Sequence, residues 1–272
     1  MNLQIYQVDA FTLEPFHGNP AAVVPLEAWL PDETMAAIAA ENNLAETAFF
    51  VKEGEKYHIR WFTPAVEVNL CGHATLASAY VIFSELKLEK DVVYFHSDRS
   101  GELSVERQGD RLVLDFPAYP ITEIEQSDEL ARAVGIVPAK VYEAVNNGVV
   151  MRLESEQDVL DLDPDYHAIG QLEYERVYVT APGDTCDFAS RMFAPNLGID
   201  EDPVTGAMHC SLIPYWAEQL GKDELFARQV SKRGGELYCE LRGDRVKIGG
   251  NAVLYLKGEI YVEAAGERSV AV

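Results

Sequence analysis

The sequence predicts an α+β protein of two pseudo-symmetric domains, each a mainly antiparallel β-roll or barrel around one central helix. Three observations predict it. First, Arg60-Trp61-Phe62-Thr63-Pro64 returns as Arg191-Met192-Phe193-Ala194-Pro195, 131 residues later. Second, Gly101-Glu102-Leu103 with Gly109-Asp110-Arg111 returns as Gly235-Glu236-Leu237 with Gly243-Asp244-Arg245, 134 residues later. Third, each half carries one apolar stretch of helical length opened by a Gly-containing turn: Cys71-Gly72-His73 before 74–86, and Asp202-Pro203-Val204-Thr205-Gly206 before 207–220. A helix that is apolar on nearly every side must be enclosed, and strands at both ends of each half supply the enclosure.

In chain order, residues 3–11 read as a strand, Gly18-Asn19-Pro20 as a turn and 21–24 as a second strand. Pro31-Asp32-Glu33 starts a short helix, with acids in its first turn. Residues 48–51 and 57–62 are strands, 74–86 the enclosed helix, and 101–105 with 111–116 a hairpin around Gln108-Gly109-Asp110. Pro117-Ala118-Tyr119-Pro120 is the interdomain linker, which sets the domains at 1–117 and 118–272, with the last strand free to return to the first. The second half repeats the plan: a turn at Asn146-Asn147-Gly148, a strand over 149–153, a helix start at Pro164-Asp165, strands over 176–180 and 187–193, a buried helix from about Gly206, and the hairpin around Gly243-Asp244.

The 272 residues suffice for two cores. With 45 acidic against 22 basic residues the net charge is −23, which argues against nucleic acid or an anionic membrane as a partner, since both need a basic face. The same field repels anionic substrates at long range, so a carboxylate site must rely on local donors. Four widely spaced cysteines, an N-terminus with no charged leader and apolar runs far below the ~18–20 residues that span a bilayer point to a soluble, cytoplasmic protein.

Two half-domains related by a pseudo-twofold bring equivalent helix starts face to face, and helix N-termini attract anions. A cleft for a small carboxylate is therefore expected, with Gly72-His73 and Gly206-Ala207 touching one ligand from opposite sides. A side chain added at either glycine is expected to fill the approach path and block the ligand. Glu46, between a helix end and the apolar strand Ala48-Phe49-Phe50, is either a general acid/base with a pKa raised by partial burial or a solubilising edge-strand acid. Cys71 is either a thiolate stabilised at the helix start or a small buried thiol, and His73 either a partner of it or a helix-end histidine bonded to backbone. Asp202-Pro203 reads as N-cap and first helical residue, or as a positioned acid in a relay with Glu46 and His73. His209 and Cys210, a turn into the helix, read as core. No spacing supports a metal site at Glu46, His73, Asp202 and His209, and no Rossmann or Walker glycine loop is present.

Seven segments together resemble the PhzF-like phenazine-biosynthesis isomerase family, whose fold is that of diaminopimelate epimerase. They are Asp9-Ala10-Phe11-Thr12, Gly18-Asn19-Pro20, Glu46-Thr47-Ala48-Phe49, Arg60-Trp61-Phe62-Thr63-Pro64, Leu70-Cys71-Gly72-His73-Ala74-Thr75, Glu201-Asp202-Pro203-Val204-Thr205-Gly206 and Arg233-Gly234-Gly235-Glu236-Leu237. The spellings around Cys71 and Arg233 look most like the subgroup with the animal phenazine-biosynthesis-like domain-containing proteins. The resemblance implies a cofactor-free, homodimeric isomerase in which Glu46 moves a proton between carbons, assisted by His73 and Asp202. Candidate substrate-binding positions are Asn19, Ala45, Cys71, Gly72, Gly206 and Ala207. Ala207 stands where the family commonly has Ser, so a hydroxyl expected on the pathway substrate, a dihydro-hydroxyanthranilate, is absent. A two-thiol racemase is the neighbouring alternative, lacking its second cysteine, and a non-catalytic binding protein on the same fold is the other.

Overall fold

The computed structural model describes residues 1–262. The first half contains strands β1 (Asn2–Ala10), β2 (Asn19–Leu26), β3 (Glu46–Glu53), β4 (Lys56–Phe62), β5 (Glu67–Val68), β6 (Val92–Ser97), β7 (Gly101–Gln108) and β8 (Arg111–Pro117), with helices α1 (Asp32–Asn42) and α2 (Gly72–Tyr80). The second contains β9 (Thr122–Ile124), β10 (Lys140–Ala144), β11 (Gly148–Arg152), β12 (Arg176–Pro182), β13 (Phe188–Ala194), β14 (Ile199–Glu201), β15 (Glu224–Gln229), β16 (Gly235–Arg242) and β17 (Arg245–Gly250), with α3 (Asp128–Val134), α4 (Glu156–Leu160), α5 (Tyr166–Ile169) and α6 (Gly206–Leu220). The last described strand is β18 (Ala252–Tyr261).

Strand pairing repeats between the halves. β2 runs parallel to β3 as β11 does to β12, and β4 runs parallel to β6 as β13 does to β15, while the remaining neighbours are antiparallel. Even the buttresses repeat. Arg60 donates from Nε to Glu67 Oε1 at 2.7 Å and from an Nη to Oε2 at 3.0 Å, and Arg191 meets Glu201 with the same two distances. Such forked pairs fix orientation better than single contacts, and each holds the short strand β5 or β14 just ahead of a central helix. The last described strand crosses between the halves: β18 leaves β17 to pair with β1 of the first, in the place that β9 takes beside β10 within the second. An antiparallel β8–β17 pair then joins the halves into one continuous sheet.

Because each roll closes around its helix, α2 is buried at every residue from Gly72 to Ala79. The sequence reading extends this helix to Leu86, whereas the regular helix stops at Tyr80 and continues as a π-helical turn, Val81–Glu85, closed by the Leu86 N–H on the Val81 carbonyl at 2.9 Å. In α6, Pro214 has no N–H for the Cys210 carbonyl. That carbonyl instead accepts from the Tyr119 N–H at 2.9 Å, so the proline anchors the interdomain linker on the helix. Two satellite cores lie outside the rolls, one beneath α1 with Phe49 and Phe62, the other beneath α3 and α4 with Val177 and Phe193.

Candidate active site

The start of α2 and the start of α6 meet. A Cβ built on Gly72 would lie 3.5 Å from the Gly206 Cα, and one on Gly206 would lie 3.6 Å from the Gly72 Cα. This revises the expected role of the pair. The glycines face each other and, on the Gly72 side, Phe116 and Leu114, so a larger side chain there would wedge the helices apart before it could obstruct a ligand. Neither helix start carries a side-chain cap, with Cys71 and Thr205 at the two N-cap positions. Two helix starts without a side-chain cap thus lie side by side, and uncapped helix N-termini favour anions. Ala207 is exposed and Ala45 half-buried, both beside residues of this cleft.

Glu46 opens β3 and His73 is the second residue of α2; the strand delivers the carboxylate to within 3.2 Å of His73 Nε2. Both are largely enclosed, with side chains 12 % and 5 % exposed, and Glu46 Oε2 accepts no aligned hydrogen bond. Cys71 Sγ lies 3.4 Å from His73 Nδ1. Burial, then the neighbouring Glu46, push the Cys71 thiol up to about 11, so it is a neutral thiol at physiological pH. Burial opposes a charge on His73, but Cys71 and Glu46 favour it and leave its pKa well above the ordinary histidine value. Since Cys71 is uncharged at neutral pH, the attraction that persists there is that of Glu46, and the Glu46–His73 pair is best described as sharing a proton.

Asp202 belongs to the other half yet joins the same cluster. It is not the N-cap of α6. Its backbone N–H still bonds to the Met192 carbonyl at 3.0 Å, continuing the extended run of β14, and the chain turns only at 203–205. Its side chain accepts from Thr205 Oγ1 at 2.5 Å and from Asn19 Nδ2 at 2.8 Å. Burial, reinforced by Glu46, raises the Asp202 carboxyl to about 6 in spite of these donors and of His73. Asn19, wholly buried at the start of β2, is the bridge: its Nδ2 also reaches the Val204 carbonyl at 2.8 Å and His73 Nδ1 at 3.1 Å. Thr205 and Gln229 complete the support and carry no sequence signal of it. The Gln229 side chain accepts from the Thr205 N–H and donates to the Asp202 carbonyl, each at 2.7 Å.

His209 and Cys210 are core residues. The Thr205 carbonyl accepts from His209 Nδ1 at 2.8 Å, burial lowers that imidazole to about 4, and burial raises the Cys210 thiol to about 12. Among the described residues one compact metal-type cluster exists: ligand atoms of Glu46, Cys71 and His73 lie within 4.8 Å of one another. Two of its three members would have to lose a proton before they could ligate, since the Cys71 thiol is pushed up to about 11 and His73 stands well above the ordinary histidine value. A separate concavity lined by Ile5, Gln7, Ala22, Asn42 and Leu44 holds none of these groups.

The pairing of motifs far apart in sequence is also explained. Arg233 donates to Asp9 Oδ1 and to the Gly18 and His17 carbonyls at 2.8–2.9 Å, and the Gly18 N–H bonds to the Gly234 carbonyl at 2.9 Å, so the loop that leads into Asn19 is clamped from the second half. Gly18 has φ 63° and a Cβ there would strike the Ala10 carbonyl, which requires glycine.

The fold defines a member of the class built from paired rolls in the manner of diaminopimelate epimerase, with buried titratable groups where the two central helices meet. Residues 8–258 match the phenazine biosynthesis-like protein family, and the chain belongs to that family. It is 54% identical over 260 residues to an uncharacterized isomerase of Pseudomonas aeruginosa, covering 96% of this chain and 99% of the relative. It is 40% identical over 289 residues to the mouse phenazine biosynthesis-like domain-containing protein 2, covering 96% and 99%. The crystal structure of a PhzF-family phenazine biosynthesis protein from Enterococcus faecalis, 46% identical, superimposes with a TM-score of 0.93 over 96% of this chain and all of that one. Among the described residues no helix is long and apolar enough to cross a membrane.

Proposed function

We propose that the protein is an isomerase that takes a proton from one carbon of a small carboxylate substrate and returns it to another, with Glu46 as the single shuttle. One observation carries the reading: Glu46 Oε2, enclosed and without an aligned donor, stands 3.2 Å from His73 Nε2 at the meeting of two uncapped helix starts. The substrate carboxylate rests on those free N–H groups. Glu46 abstracts the proton and hands the same proton back, its carboxylate steadied before the transfer by the charge favoured on His73 beside it; Asp202, raised to about 6, is within reach of taking up or releasing a proton near neutral pH. The name of the Pseudomonas aeruginosa relative supports the reaction class.

The site is one-sided although the scaffold is double. β2 and β3 place Ala21 beside Glu46, and β11 and β12 place Gly148 beside Arg176, so Arg176 occupies the position equivalent to Glu46. Likewise Thr205 and Ala207 stand where Cys71 and His73 stand in the first half. A two-thiol racemase lacks its second base in this arrangement, and its first is a thiol with a pKa of about 11. A proton shift on one face of the substrate is what a single Glu46 supports. Small carboxylates incubated with the protein in D₂O and followed by NMR test this without knowledge of the product. Glu46→Gln should fold normally and slow deuterium uptake by ~10²–10⁴-fold; equal uptake by the two proteins would remove Glu46 from the mechanism.

A further inference from the structure

We infer that His58 and His96, with Asp98 between them, form a binding site for a divalent d-block ion on the first roll, apart from the cleft. The two histidines are direct partners across the parallel β4–β6 pair, so both side chains leave the same face of the sheet, and their rings lie 5.5 Å apart. Asp98 follows the end of β6 and faces both rings. Its Oδ2 stands 3.4 Å from His58 Nε2 and its Oδ1 3.5 Å from His96 Nε2. The second nitrogen of each ring faces a carboxylate as well: His58 Nδ1 is 3.4 Å from Glu53 Oε1, and His96 Nδ1 is 3.4 Å from Glu102 Oε1. His58 Nε2 and His96 Nδ1 are buried and make no aligned hydrogen bond. Three features suit this cluster to a metal. The separations of 3.4 and 3.5 Å to Asp98 match the ligand–ligand edge, about 3.3–3.5 Å, of a tetrahedron with metal bonds of ~2.0–2.1 Å. A ligating imidazole is commonly oriented by a carboxylate at its other nitrogen, the place that Glu53 and Glu102 hold. Three acids stand here against one cation, Lys56 on Glu102 Oε2, and the two imidazoles select a d-block ion over Mg²⁺ or Ca²⁺. The three ligand atoms do not all lie within 4.8 Å of one another. Closure therefore turns Asp98 and His96, whose side chains are 74 % and 41 % exposed, toward His58, which is packed edge-on against Trp29. An ion bound there fastens together the two ends of the stretch 59–95, which carries Cys71 and α2, where β4 and β6 pair only through Tyr57 with Phe95 and His58 with His96.

The test needs no substrate. Protein freed of metal with a chelator and dialysed is titrated with Zn²⁺ by calorimetry, and with Mg²⁺ as the contrast. The wild type should bind one Zn²⁺ and give no comparable heat with Mg²⁺. At a Zn²⁺ concentration of about a hundred times Kd, Tm should rise by roughly 5 °C. Glu102→Gln, which alters only the outer carboxylate, should weaken Zn²⁺ binding by ~10–100-fold, and His96→Gln, which removes a ligand, by more. His73→Gln should bind Zn²⁺ as the wild type does. No uptake of Zn²⁺ would overturn the inference, as would unchanged affinity in folded His96→Gln. Loss of binding in His73→Gln would move the ion to the cleft, and equal binding of Mg²⁺ would reduce the site to a diffuse acidic surface; either result also overturns it. A zinc-soaked crystal of the wild type reads the position without any variant. Anomalous density about 2.0–2.1 Å from Nε2 of both rings is expected, and zinc found only elsewhere would refute the assignment.

Discussion

Replacing Arg233 by Leu tests whether the two halves are held together at the mouth of the cleft by a buried charge pair. Asp9 is 1 % exposed and its partner guanidinium, 2.9 Å away, is about one-third exposed, with 31 % of its side chain accessible. Breaking a fully buried pair from one side costs about 3–5 kcal/mol, because the remaining charge is stranded. Two features lower that figure. Arg233 is partly solvated, and Asp9 Oδ2 keeps the Phe16 N–H at 2.9 Å, so about 2–3 kcal/mol is expected. For a chain of 272 residues that corresponds to a fall in Tm of roughly 4–5 °C. Urea denaturation of wild type, Arg233→Leu, Asp9→Asn and the double variant forms a cycle. The double variant should be more stable than the two single losses predict, since Asp9→Asn removes the stranded charge. A cost below about 1 kcal/mol for Arg233→Leu, or strict additivity, would refute the buried-pair account.

Asp202 gives the protein a pH signature. Its folded-state pKa is raised from 3.8 to about 6, so between those values the folded state binds the extra proton, and this group makes stability fall as pH rises from about 4 to about 6, by up to about 3 kcal/mol. Asp202→Asn should therefore gain on the wild type across that interval in urea midpoints, and parallel curves would show the carboxyl to be unperturbed. Gly72→Ala and Gly206→Ala should each cost under about 1 kcal/mol, because the added methyls meet neighbours at 3.5 Å or more. Together they compete for one gap between the helix starts, and a coupling of about 1–3 kcal/mol is expected; an additive double variant would mean the helices separate freely.

The duplication was legible because its markers are structural: Arg60 and Arg191 recur since each must brace a short strand, and the glycines of the two hairpins recur since Gly109 and Gly243 both need positive φ. The enclosed helices followed from unbroken apolar character. Less was legible where local pattern and tertiary role part company. β9 is three residues with no buried side chain, a strand only because β10 lies beside it, and α4 is five residues started by a capping box of Ser155 and Asp158 that the reading passed over. β6 and β15, by contrast, carry ordinary strand composition, with buried and more exposed positions alternating through most of each. At the cleft, the identities of Glu46, His73 and Asp202 were readable, but not the bridge through Asn19, whose nearest partners are 54, 183 and 185 positions away. Asp202-Pro203 misled because an acid before proline is also how helices begin, and strand pairing to Met192 outweighed that local preference.

The return of β18 to the first half makes the molecule something other than two independent bodies on one linker. Cutting the chain within 118–121 would leave the first fragment without the strand that pairs with β1 and the second carrying it, so the fragments should reassociate and the first should not fold alone. The sheet also limits how the halves can part. Rotating one away from the other, with β18 moving beside β1, would have to strip β8 from β17 and bend the chain at 118–121 and at 251. The place where the two rolls share a sheet is thus where any opening of the gap between the helix starts has to be resisted or released.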